Sequence, residues 1–259
     1  SYHLQLPREW ARAGGIIETP HNAYGYLPNG VEAAFFHLRM ISRSPVDFAE
    51  SCQLLCACWT VLAAITTGRI ARSLSSPETK SIAAALSGVL LLSTPWVIVT
   101  GSLAYNESAV LLALAAAILI ICKTTQWTFR EAIMLGVCAG GACLAKLSSG
   151  ILVVLPLAMM CLILLRKGRW IPIAATTGGI ILVVLSPWLI RNAGWTGNPT
   201  FPFLTSIFGN GDWTVQQITT WNRAHGGDSQ SSMIAALWNE FLREGIGAAP
   251  TTGEPWLPQ

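Results

Sequence analysis

Three charged side chains border long apolar stretches and are the strongest candidates for chemistry in this sequence. They are Glu107, Lys146 and Arg191. An ionisable group inside or beside a membrane-length apolar segment is energetically costly, so it is a functional candidate by default. A carboxylate at such a position could accept a proton, and a lysine or arginine could stabilise a developing negative charge.

Each of the three residues also has an ordinary structural interpretation. Glu107 could be a solvated acid at a helix start, where the helix dipole favours negative charge. Lys146 could extend its side chain to the membrane–water interface, and Arg191 could cap the C-terminus of a helix. The three residues together indicate more than each one alone, provided that the elements bearing them converge.

The composition indicates which elements those are. Hydrophobic residues make up 52% of the 259 residues and charged residues only 11%, with a mean hydropathy of +0.50. A soluble domain carries about a quarter charged residues. These values exclude a disordered chain, a coiled coil and an ordinary cytosolic enzyme, and a net charge of +3, weak and scattered, gives no indication of nucleic-acid binding.

Uncharged stretches of membrane length recur along the chain, and we expect six transmembrane helices in an all-α polytopic membrane protein. The six apolar windows are 51–68, 81–106, 108–122, 132–145, 147–165 and 170–190. A span needs about 20 residues, so 132–145 is the shortest and least certain window. It contains Gly136 and Gly140, a spacing of small residues that lets helices approach closely.

Charge asymmetry predicts the orientation. The turns 69–80, 123–130 and 166–169 carry eight basic residues, whereas Lys146 is the one basic residue in the opposite turns. The positive-inside rule places the three basic turns in the cytoplasm. Glu107, Lys146 and Arg191 then converge on the outer face, as expected for a site that uses an amphiphilic substrate.

The same topology divides the chain into an outer segment 1–50, a transmembrane region 51–191 and a truncated outer segment 192–259. Residues 31–43 and 231–244 have helical apolar stripes, which predict amphipathic helices in the outer membrane interface or surface helices of a small outer domain. Residues 192–213 are rich in Gly, Asn and Pro and predict an ordered loop. The seven cysteines lie in apolar runs and the four histidines are scattered, so neither set predicts a metal site.

Five blocks of sequence, in this order, resemble the bacterial polyprenyl-phosphate-dependent glycosyltransferases of the GT-C type, which are related to protein mannosyltransferases and aminoarabinose transferases. The blocks are Ser1–Pro7 followed by Trp10 and Gly14, Asn22–Glu32, Thr100–Glu107, Gly136–Lys146, and Pro187–Asn192 followed by Gly197–Pro199 and Phe201–Leu204. They run from residue 1 to about residue 213, which is most of the chain.

The resemblance implies a GT-C-like multi-pass protein of the cytoplasmic (inner) membrane. Its reaction would transfer a sugar from a polyprenyl phosphate to a glycan, lipid or protein acceptor on the outer face, inverting the anomeric carbon. Glu107 would be a second catalytic acid, and Lys146 and Arg191 would bind the donor phosphate. The implied substrate-binding residues are Tyr2, His3, Asn22, Tyr26, Glu32 and Asn106. A divalent cation could bridge an acid to the phosphate, but the sequence contains no complete set of ligands.

In that family the principal acid precedes the Tyr-His stretch, so here it would lie before Ser1. We therefore expect the sequence to be a fragment that is inactive alone. A transporter or flippase of an amphiphilic substrate is the main alternative, although transporters place their sites near the midplane between broken helices. A noncatalytic scaffold, which would need neither Glu107 nor Lys146, is the third.

Overall fold

The computed structural model describes residues 2–164 and 170–225. Within these residues 78% are helical and no strand occurs, so the all-α prediction is confirmed. The predicted helix over 231–244 lies outside the described residues.

The first fifty residues fold against one end of the helix bundle. They form α1 (Tyr2–Ala13), a short 3₁₀ turn (Ala23–Tyr26) and α2 (Gly30–Ile41). The predicted helix over 31–43 is therefore present. Val31 and Phe35 on its apolar face are fully buried against Phe48 and Cys52, whereas Ile41 near its end is exposed. The apolar stripe thus packs onto the bundle along its first two turns.

The apolar windows form helices of unequal length. These are α3 (Pro45–Leu74), α4 (Lys80–Ser93), α5 (Pro95–Ser102), α6 (Glu107–Lys123), α7 (Phe129–Ala145), α8 (Leu155–Leu164), which follows a π-helical turn at Gly150–Val154, and α9 (Trp170–Thr196). Two short helices follow, α10 (Thr205–Phe208) and α11 (Val215–His225).

Two helices of the described residues, α3 and α9, are long and apolar enough to cross a membrane. A third span is present if α4 and α5, bent by 68° at the break before Pro95, cross as one unit. A helix rises about 1.5 Å per residue, so the 17 residues of α6 and of α7 reach only about 25 Å of a bilayer core of about 30 Å. The structure therefore supports a membrane protein with two or three clear spanning helices.

The small-residue spacing in α7 lies at a close helix contact. A Cβ atom added to Gly136 would lie 2.7 Å from the Cβ of Ile180, and one added to Gly140 would lie 2.9 Å from the Cβ of Val184. Both partners are on α9. The two glycines therefore allow α7 and α9 to approach more closely than any side chain would permit.

The end of α9 differs from the sequence-based expectation. The helix does not stop at Arg191 but continues to Thr196, so the predicted loop over 192–213 begins five residues later and also contains the helical turn α10. Gly197 adopts a positive φ of 72°, a conformation favourable to glycine that ends the helix. The interpretation of Arg191 as a C-terminal cap is therefore wrong.

Candidate functional site

Glu107 and Lys146 form an ion pair across two helix ends. The Nζ of Lys146 donates a hydrogen bond to Oε1 of Glu107 over 2.6 Å. Glu107 is the first residue of α6, and Lys146 directly follows the last residue of α7. Their side chains are 38% and 45% exposed, so the pair lies at the rim of the bundle. The juxtaposition that the sequence predicts is thus observed.

A buried asparagine holds the two helix ends together. Nδ2 of Asn106 donates to the carbonyl oxygen of Ala145 over 2.8 Å, and Asn106 is only 6% exposed. Asn106 immediately precedes Glu107 in the chain, and Ala145 immediately precedes Lys146. The structure therefore gives Asn106 a role in positioning Glu107 and Lys146.

The carboxylate of Glu107 is negatively charged at neutral pH. Partial burial raises its pKa, but the hydrogen bond and the positive charge of Lys146 outweigh that effect and hold the pKa below its ordinary value. Oε1 accepts from Lys146, whereas Oε2 is buried and has no hydrogen-bond partner among the described residues. Glu107 therefore has one oxygen paired with Lys146 at the rim and one buried oxygen without a hydrogen-bond partner in the described part of the chain.

A second acid–base pair lies nearby in the interior. Nδ1 of His3, on α1, is hydrogen-bonded to Oε1 of Glu32, on α2, and the two residues are 6% and 1% exposed. The ring of His3 lies 5.3 Å from the ring of Tyr105, and a proton on His3 would lower the pKa of Glu107. Oε2 of Glu32 is also buried without a partner in the described part of the chain. The two pairs thus form one electrostatic cluster.

Arg191 lies apart from the Glu107–Lys146 pair. Its Nη2 donates to the carbonyl oxygen of Leu27 over 2.8 Å and to Oδ1 of Asn192 over 3.1 Å, and its guanidinium lies 4.7 Å from the ring centre of Trp195. It forms no salt bridge within residues 2–164 and 170–225. Its charge does interact with that of Glu32, so Arg191 borders the cluster from the α9 side.

The structure gives Tyr26 a packing role. Its side chain is buried, its hydroxyl donates to Oε1 of Glu18 over 2.8 Å, and its ring meets the ring of Phe201 edge-on at 4.8 Å. Burial and this hydrogen bond to Glu18 raise the pKa of Tyr26. The backbone carbonyl of Tyr26 accepts from Trp188 and Asn192 on α9. Tyr26 thus joins the outer segment to the end of α9.

The remaining predicted residues have local roles or lie at the edge of the description. Oδ1 of Asn22 accepts from the backbone N–H of Tyr24 over 3.1 Å and caps the 3₁₀ turn. Tyr2 begins α1, and its side chain lies outside the described part. No group of three His, Cys, Asp or Glu residues that could hold a metal ion occurs among the described residues.

Sequence reasoning missed one important residue, Asn192. It is fully buried, and its Nδ2 donates to the carbonyl oxygens of Tyr26 and Phe201, each over 2.8 Å. A polar amide directly after an apolar helix was the available signal, but an exposed asparagine would give the same pattern. Only the contacts show that it joins two loops.

Comparison with known proteins gives one family. A family model described as a domain of unknown function (DUF8201) matches residues 33–228, which include Glu107, Lys146 and Arg191. No curated protein and no solved structure matches the chain. Because the match covers well over half of the 259 residues, the chain belongs to the DUF8201 family.

Proposed function

We infer that this chain is part of a glycosyltransferase of the cytoplasmic membrane, which transfers a sugar from a polyprenyl phosphate to an acceptor on the outer face. One observation carries the proposal: the ionised carboxylate of Glu107 lies beside the ammonium group of Lys146 at the rim of an apolar helix bundle. This arrangement fits a substrate with an apolar tail and a charged head.

The charges at the two ends of α6 and α7 support an outer location for the pair. These helices pack against each other, and the turn joining them carries Lys123 and Arg130. Under the positive-inside rule this basic turn faces the cytoplasm, so the end with Glu107 and Lys146 faces outward. The proposal therefore includes six membrane crossings, with α6 and α7 spanning despite their short length.

The lowered pKa of Glu107 defines its role in the reaction. A carboxylate that holds its proton weakly is a poor general base, but it accepts a hydrogen bond strongly. Glu107 would orient the acceptor hydroxyl, while a different acid removes the proton.

Lys146 is suited to stabilise the negative charge of the leaving group. Its ammonium has three N–H donors, of which one is used by Glu107. The others can stabilise the negative charge that develops on the departing lipid phosphate. Arg191 would add positive potential from the α9 side. If a divalent cation takes part, the carboxylate of Glu107 would be its protein ligand, and phosphate and water would supply the remaining ligands.

The test is sugar transfer from polyprenyl-phosphate-linked hexoses and pentoses in membranes that contain the full-length protein. We expect Glu107→Gln and Lys146→Gln each to abolish transfer while membrane insertion persists. The matched controls are Glu78→Gln and Lys123→Gln, which neutralise one acid and one base on the opposite, basic turns. Wild-type turnover in both site variants would contradict the assigned roles.

A transporter or flippase is the second candidate, and two structural observations favour it. The 68° bend between α4 and α5 and the π-helical turn at Gly150–Val154 are breaks of the kind that transporters use. Uptake of a polyprenyl phosphate or a soluble sugar by proteoliposomes, without any transfer product, would establish this function in place of the transferase.

A further inference from the structure

A cleft of about 520 Å³ lies between the 3₁₀ segment and α11, away from Glu107 and Lys146. One wall is residues 20–24, and the other is residues 213–224. Its volume is in the range of pockets that hold small ligands. Both walls belong to the segments that the predicted topology places on the outer face.

Three aromatic side chains, Tyr24, Trp213 and Trp221, line the cleft. The ring of Trp221 lies 6.0 Å from that of Tyr24 and 5.8 Å from that of Trp213, both tilted toward edge-on contact. Trp221 is nearly buried, whereas Tyr24 is 37% exposed. These mutual contacts hold the rings in fixed orientations. Rigid aromatic faces are the surfaces on which the C–H face of a pyranose ring packs.

Neutral hydrogen-bonding groups lie beside the rings. Gln216, Gln217 and Thr220 are exposed residues of α11 that line the cleft. Oε1 of Gln217 accepts from the backbone N–H of Thr214 over 2.8 Å, which fixes the carboxamide and directs its NH₂ group away from Thr214. Carboxamides donate and accept, so they match the hydroxyl groups of a sugar.

The lack of acidic and basic side chains in the described lining favours an uncharged ligand. Among its described lining residues the cleft contains no Asp, Glu, Lys or Arg, and His21 is its one titratable side chain besides Tyr24. A phosphate, a nucleotide or an acidic peptide would need a basic partner there. Aromatic rings with neutral amides and hydroxyls fit an uncharged carbohydrate.

We propose that this cleft binds a neutral oligosaccharide, which is the part of the acceptor glycan distant from the reacting hydroxyl. The proposal rests on the transferase function proposed above. The loop that forms one wall continues directly to Tyr26 and Leu27, whose carbonyl oxygens bind Asn192 and Arg191. An acceptor bound in the cleft would therefore contact the same loop that contacts Arg191 and Asn192.

Two adjacent threonines offer a matched test. Thr219 and Thr220 are both exposed on α11, and each hydroxyl donates to the backbone carbonyl four residues earlier. Only Thr220 lines the cleft. Thr220→Leu therefore fills the cleft with an apolar group, whereas Thr219→Leu makes the same chemical change outside it. Tyr24→Ala removes the exposed aromatic face.

The measurement is binding of maltotriose, mannotriose and N,N′,N″-triacetylchitotriose to the protein in lipid nanodiscs, by tryptophan fluorescence and saturation-transfer NMR. Nanodiscs are needed because the sugar headgroup of a maltoside detergent could itself occupy the cleft and compete with the trisaccharides. We expect at least one trisaccharide to bind, with equal Kd for wild type and Thr219→Leu and a Kd at least tenfold weaker for Thr220→Leu and Tyr24→Ala.

The outcomes separate this proposal from the transferase proposal. Absence of binding of all three trisaccharides to the wild type, or wild-type affinity in Thr220→Leu, would overturn the cleft assignment. Hydrolysis of the lipid-linked donor to free sugar, which needs no acceptor glycan, is measured on the same samples. Donor turnover without trisaccharide binding refutes only the cleft, and trisaccharide binding without donor turnover or transfer refutes only the transferase.

Discussion

Neutralising Glu107 and Lys146 separately and together distinguishes a chemical role for their ion pair from a structural one. The perturbation is a double-mutant cycle with Glu107→Gln, Lys146→Gln and the combined variant. A glutamine has nearly the size of the glutamate, is shorter than the lysine, and removes the charge at both positions. The cycle isolates the pair because both substitutions lie at the same contact of 2.6 Å.

The structure sets the size of the effect on stability. The two side chains are 38% and 45% exposed, and ion pairs at that degree of exposure contribute about 0.2–1 kcal/mol. We therefore expect a coupling energy of at most about 1 kcal/mol in the free energy of unfolding. For a chain of this size that corresponds to a shift of about 2–4 °C in Tm.

The expected effect on turnover is much larger. Removing one group that stabilises charge in the transition state typically lowers the rate by about 10²–10³-fold, and groups that act as a unit are not additive. Each single variant should lose at least about 100-fold in sugar transfer, and the combined variant should be hardly worse than either. The assays are transfer from a labelled polyprenyl-phosphate sugar and thermal unfolding in nanodiscs.

Two results would refute this reasoning. Turnover within about threefold of wild type in both single variants would make the pair an ordinary surface salt bridge. A stability loss of more than about 3 kcal/mol in either variant would show that the exposed fractions underestimate its structural contribution, since that is the size expected for a broken buried pair.

Three further predictions concern the packing and titration of the site. Gly140→Ala should lower the free energy of unfolding by about 1–3 kcal/mol, because its Cβ would meet Val184. Gly141→Ala has open space around its Cβ and should raise the free energy of unfolding by about 0.5–1 kcal/mol. Thermal unfolding of these two variants tests both expectations. Asn106→Ala should cost about 1–3 kcal/mol by leaving a buried carbonyl unpaired, and sugar transfer should fall with it. The Tm difference between wild type and Glu107→Gln should be complete above pH 4.5, the ordinary carboxyl value, and should vanish as the pH falls through the lowered pKa of the folded state; Tm measured against pH tests the sign.

Much of the architecture was predictable because hydropathy is a local property. Apolar windows separated by charged turns indicate helices wherever they occur, so the helix over 31–43 and those through α9 follow from the sequence alone. The glycine spacing in α7 likewise identified a close contact, since a missing side chain permits it whichever helix is the partner. Span length was less predictable, because the break before Pro95 and the short α6 and α7 depend on local geometry.

The positions of Glu107 and Lys146 at helix ends and their convergence were also predictable, but the contacts of Arg191 were not. Glu107 meets Lys146 across 39 residues of chain, while Arg191 contacts the backbone of Leu27 and not that pair. Which side of a helix faces which neighbour depends on helix rotation and register, and these are set by packing over the whole bundle. The sequence therefore indicated which charges lie at the ends of apolar segments and could converge, and only the tertiary structure decided that the acid and the lysine form an ion pair while the arginine anchors a loop.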